Sequence, residues 1–93
     1  MAFEIKFNEE KNQLLKATRG IGFDEVVVAI SEGNLLDDLA NTNKKYRHQR
    51  MCVVGIGEYA YVVPYVIDKQ NRHIFLKTVY PSRVLTTKYI KRR

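Results

Sequence analysis

The chain has no tryptophan, two prolines, five glycines and a single cysteine in 93 residues. One thiol, Cys52, can form no internal disulfide and supplies no cysteine-based zinc site; lying between Met51 and Val53 in an apolar stretch, it reads as a buried structural group. Long hydrophobic runs are also lacking. The longest, residues 26–30 and 59–67, fall well short of the roughly 20 that span a bilayer, and the second contains Pro64. The opening MAFEIKFNEE has neither the apolar core of a secretory signal nor the acid-poor character of a transit peptide, so a cytoplasmic chain without membrane contact is expected. GIGEY is not a phosphate-binding glycine motif, and no Walker lysine follows it, which argues against a nucleotide cofactor. His48 and His73 have no neighbouring carboxylate at ligand spacing, so neither a metal nor any other cofactor is expected.

Carboxylates are missing from one end. Residues 69–93 carry eight Lys/Arg and no Asp or Glu, whereas residues 1–43 carry four basic against eight acidic groups. Residues 44–68 hold four basic and two acidic groups, which completes the net +6. A field concentrated at one end favours polyanions through steering and counterion release, with nucleic acid the first candidate and a merely solvated basic surface the alternative.

The length and the 45% hydrophobic content fit one folded domain over residues 1–93. Phe3, Ile5 and Phe7 alternate with charges as in a half-buried strand. Asn8 can cap a helix that carries Glu9 and Glu10 in its first turn and stops at Gly20. Phe23, Val26, Val27 and Ile30 follow helical spacing, with a stop at Gly33. Residues 34–39 read as a short strand and 41–45 as a loop. Residues 50–56 and 59–67 form a hairpin joined across 55–58, in which Pro64 requires an edge, a bulge or an unpaired N–H position. A further strand runs from His73 to about Tyr80. Pro81 then opens a last helix with Val84, Tyr89 and Ile90 as its apolar face. The expected architecture is α+β: two N-terminal helices packed on a small antiparallel sheet, with a C-terminal helix.

What remains chemically is a concentration of cations and phenols. Lys44, Lys45, Tyr46, Arg47, His48 and Arg50 precede one strand; Lys77, Tyr80, Arg83, Lys88 and Tyr89 surround the last strand and helix. Such interleaving can hold phosphates and stack bases. RNA cleavage by its own 2′-OH needs in-line geometry, charge stabilisation and proton transfer, which these side chains can provide without a metal. Tyr59, Tyr61 and Tyr65 read instead as sheet packing.

The segment FNEEKNQLLKATRGIGFDE resembles the opening of the BrnT family of bacterial toxins, an aromatic-Asp-x-x-Lys followed by His-Gly-hydrophobic-Ser-Phe-Glu-Glu. Phe7, Asn8, Lys11, Gly20, Phe23, Asp24 and Glu25 occupy the motif, while Arg19 stands at the family histidine and Gly22 at the serine that would cap the second helix. Further on, QRMCVVGI, YAYVVPYVID and IFLKTVYPSRVLTTKY are similar to a subgroup of that family. The resemblance implies a RelE/ParE-like fold and a ribonuclease toxin of a type II toxin-antitoxin system, neutralised by a cognate DNA-binding antitoxin. The expected activity is metal-independent RNA endonuclease. Lys77, Arg83 and Tyr89 lead the catalytic set with Tyr80 beside them, and Lys44, Arg47, Arg50 and Lys88 are expected to bind RNA. The antitoxin is expected over the face bearing Lys44, Arg47, Lys77 and Arg83. The alternatives are a non-catalytic nucleic-acid-binding module and a gyrase-directed relative of the same fold.

Overall fold

The computed structural model describes residues 3–46 and 48–91. Its elements are β1 (Glu4–Lys6), α1 (Glu9–Arg19), α2 (Phe23–Ser31), β2 (Leu35–Ala40), a 3-10 turn (Lys44–Tyr46), β3 (Arg50–Ile56), β4 (Tyr59–Asp68), β5 (His73–Leu76), β6 (Tyr80–Pro81) and α3 (Arg83–Tyr89). The class is α+β. Among the described residues no helix is long and apolar enough to cross a membrane.

Both ends of α1 and the start of α2 have an identifiable chemical cause. Asn8 caps α1, its side-chain oxygen accepting from Lys11 N–H at 2.8 Å. Gly20 ends it in the left-handed region at φ 74°, returning its N–H to the Lys16 carbonyl. At the start of α2, Gly22 has no side chain to cap with, and α1 supplies the cap instead. Asn12, 1% exposed, accepts from Phe23 N–H at 2.7 Å through Oδ1 and donates to Asp24 at 2.7 Å through Nδ2. A Cβ on Gly22 would run into Asn12 Oδ1 and lie 2.8 Å from Lys16 Cγ, so glycine is required there by space, not by backbone torsion.

The strands are ordered β1-β5-β4-β3-β2, with β6 also paired to β4. β3 and β4 form a hairpin whose turn is shorter than expected: Ile56 pairs with Tyr59, leaving Gly57, at φ 64°, and Glu58 as the loop. Two further expectations are corrected. The sheet is mixed, because β1 lies parallel to β5 with Ile5 opposite Ile74. A strand followed by two helices cannot join its neighbour by a hairpin, so it fills the edge that the β2–β5 meander leaves open. The strand expected over residues 73–80 is also split after Leu76. Lys77 N–H donates to the Pro64 carbonyl at 2.8 Å, but Pro64 has no N–H to return, and the ladder resumes only where Tyr80 pairs with Val62. Three steps on one strand against two on the other make a bulge, one of the options that Pro64 allowed.

Helices cover both faces of the sheet. On one, α1 and α2 bury Leu15, Phe23, Val26 and Ala29 against Cys52, Val54, Val63, Tyr65 and Leu76. On the other, α3 closes over Ala60, Val53 and Val62. Two expectations for α3 are also corrected: Pro81 belongs to β6 and leaves Ser82 as the N-cap, and Val84 is 75% exposed while Thr86 faces the sheet. Thr86 Oγ1 accepts from Ala60 N–H at 2.8 Å and donates to the Ser82 carbonyl at 2.7 Å, pinning the helix to β4.

Candidate nucleic-acid interface

Residues paired across a sheet project to the same side, so the register fixes what shares the α3 face. One cross-strand row there is Asp37, Val53, Val62 and Tyr80. The next is Leu39, Met51 and Pro64, continued by Lys77 through its bond to Pro64. α3 packs toward the Gly55–Ala60 end of the sheet, where Thr86 bonds Ala60, and none of its residues lines the cavity over the second row.

Around that row lies a cavity of about 510 Å³, within the range of ligand-binding clefts. Its floor is Met51 and Pro64; its sides are Tyr46, with Asn41, Asn43 and Gln49, and Lys77, Thr78 and Tyr80, with Lys11 reaching in from α1. A second cavity of about 400 Å³ shares Lys11 and Lys77 and continues over Phe75 and Leu76 toward Asn8. No carboxylate lines either cavity among the described residues, so two ammonium groups face them without an acidic neighbour in the lining. Lys77 lies over the Phe75 ring, 5.3 Å from its centroid, and Lys45 over Tyr46 at 5.6 Å. Tyr46 and Tyr80 are about 40% exposed, so part of each side chain is open to a ligand.

Of the residues expected to act, Lys77 and Tyr80 are in this cleft, and several others are not. Arg83 is exposed at the start of α3 and Tyr89 sits at its end. Six residues of helix separate them by about 9 Å along the axis and about 240° around it, so they do not converge on one phosphate. The Tyr89 hydroxyl donates to the Asp37 carboxylate, a bond that raises the phenol above its ordinary pKa and holds the carboxyl below its own. Lys88 lies over the Tyr89 ring. Arg50 alternates with Cys52 and Val54 and so projects to the face covered by α1 and α2, where its Nε is 3.4 Å from Asp38. Asp38 also accepts from the Tyr65 hydroxyl at 2.8 Å, and burial, helped by that bond, pushes Tyr65 up to about 12. Lys44 is exposed in the 3-10 turn beside the cleft, and Arg47 lies outside the described residues.

Cys52 is buried and its thiol is raised to about 11, chiefly by burial, in keeping with an inert core group. His73 stands 3.4 Å from Asp68, and His48 is exposed in the loop before β3. The main omission of the sequence reading is Lys11. Its signal was the motif lysine three residues after the Asn8 cap, which puts it in the first turn of α1 beside the open edge of Lys77 and Thr78. No protein-family model, curated protein or solved structure matches this chain, so its function has to be read from the cleft itself.

Proposed function

We propose that the chain is a metal-independent RNA endonuclease of the toxin type, as its resemblance to BrnT and the RelE/ParE superfamily suggests, and that the cleft on the α3 face is where RNA binds. The observation that supports this reading is the gathering of Lys11, Lys77, Tyr46 and Tyr80 from four parts of the chain around one cavity that no carboxylate lines among the described residues. The two ammonium groups offset charge on a phosphate and on the phosphorane formed when the neighbouring 2′-OH attacks it. That attack releases a proton to water, the bond from phosphorus to the 5′ oxygen breaks, and Lys77 protonates the departing oxygen. A 2′,3′-cyclic phosphate and a 5′-hydroxyl result. Tyr46 and Tyr80 stack on bases to either side. A cognate antitoxin silences the protein by covering the same face with an acidic or mixed-charge segment.

The test is incubation of the purified chain with single-stranded RNA in excess EDTA. Cleavage, reduced about 100-fold in Lys77→Ala, is expected. RNA that stays intact while binding weakens steeply with salt would replace this reading with a non-catalytic binder. The placement of Arg50, Arg83 and Tyr89 outside the cleft favours that second reading.

A further inference from the structure

We propose that Arg19 is a positioning residue for the cleft, acting through the backbone of the Lys77–Tyr80 bulge. Arg19 is the last residue of α1, 60 positions before the residue it touches, and its Nη1 donates to the Val79 carbonyl at 2.5 Å. Val79 is fully buried and sits between Thr78 and Tyr80, both of which line the cleft. This stretch has lost the ladder bonds that would otherwise fix it, because Pro64 cannot return a donor to Lys77. A guanidinium offers several donors in a rigid plane and stays charged at any working pH, so it can hold a carbonyl that accepts from no backbone N–H outside the ladder among the described residues. With that carbonyl held, the peptide between Val79 and Tyr80 has one orientation, and the Tyr80 ring and Lys77 ammonium keep a fixed spacing across the bulge. Arg19 itself lines neither cleft cavity and touches no substrate. Its effect on turnover rests on the nuclease reading above; its effect on the bulge does not.

The experiment compares the full chain with Arg19→Gln and Arg19→Lys. It measures kcat and KM on a short single-stranded RNA, affinity for an uncleavable 2′-deoxy analogue, and backbone amide spectra of the free proteins. A small misplacement of the reacting groups lowers kcat about 10- to 100-fold in Arg19→Gln, while KM and analogue affinity stay within about threefold. The Thr78, Val79 and Tyr80 amides shift, and Arg19→Lys, which keeps the charge and one donor, recovers part of both effects. Unchanged amides and unchanged kcat in Arg19→Gln overturn the proposal. So does a loss that follows melting temperature alone, with no separation of kcat from KM. If the unaltered chain cuts no RNA, the nuclease reading falls by itself, and the amide shifts and analogue affinity still decide the role of Arg19: shifts confined to the bulge support it, and unchanged amides refute it.

Discussion

The contact between Asn12 and Gly22 makes a quantitative prediction about how one helix caps another. Asn12→Ala removes the acceptor of a buried N–H, that of Phe23, at a cost of about 1–3 kcal/mol. It also removes the bond to Asp24, whose 46% exposure limits that term to about 1 kcal/mol. Together these give about 3 kcal/mol, or a melting temperature about 12–24 °C lower in a domain of this size. Gly22→Ser alone is also destabilising, because its Cβ needs the space that Asn12 Oδ1 holds. Breaking the same buried bond costs about 1–3 kcal/mol. In the double variant the Asn12 side of that clash is gone, leaving only the flexible Lys16 stem to move aside, and the new hydroxyl can cap α2 directly as an N-cap serine does. The two changes therefore couple, and the double variant is about 1–2 kcal/mol more stable than the sum of the singles. Urea unfolding of the four proteins measures this cycle. Additivity to within about 0.5 kcal/mol, or a neutral Gly22→Ser, would refute the idea that α1 provides the cap of α2.

Other consequences can be checked separately. Thr86→Val leaves the Ala60 N–H buried without an acceptor and should cost about 1–3 kcal/mol, whereas Thr86→Ser keeps the hydroxyl and should cost about 1 kcal/mol; equal losses in urea melts would contradict the role given to Oγ1. Asp24, Asp37 and Asp68 are held below their ordinary pKa chiefly by side-chain hydrogen bonds from Lys16, Tyr89 and Asn71, respectively. Their stabilisation is present in full above the unfolded carboxyl value of about 3.9 and is lost as pH falls through the lower folded values, so the unfolding midpoint should drop below about pH 4; a midpoint constant down to about pH 2 would be inconsistent with it. Because Tyr89 is tied to Asp37 outside the cleft, Tyr89→Phe should leave RNA cleavage within about threefold while Tyr80→Ala, which removes the stacking ring, lowers it about tenfold or more; the reverse order in a gel assay would return the site to the end of α3.

Local chemistry was legible in the sequence where a single residue type dictates the outcome. Asn8 and Gly20 bracket α1, and the Val- and Tyr-rich stretch gives the β3–β4 hairpin, whereas Pro81 pointed to the start of α3 two residues too early, because the chain there is still paired to β4 and Ser82 provides the cap. Pro64 announced a break in the ladder but not which neighbour would bear it, since that depends on whether its missing N–H faces β3 or β5. The parallel pairing of β1 was hidden for a similar reason: a strand of three residues states its periodicity but not its partner. In α3, helical spacing drew attention to Val84, but the side that faces the sheet was decided by a hydroxyl bonding to backbone, which hydrophobic periodicity does not register. At the proposed site, charge and phenol content drew attention to Lys77 and Tyr80, which share a cavity. Sequence proximity then joined Arg83 and Tyr89 to Lys77, whereas the fold brings Lys77 into one cavity with Tyr46 and, across 66 positions, with Lys11.

The pairing of β1 with β5 also bears on when the sheet can close during synthesis. β1 emerges from the ribosome first and waits, with one edge of the sheet unfinished, until residues 73–76 have been made. Lys11 is present from the outset, but its partners across the cleft, Lys77 and Tyr80, arrive only in the last fifth of the chain. A polypeptide that stops short of residues 77–80 therefore lacks the cleft whatever helices it forms.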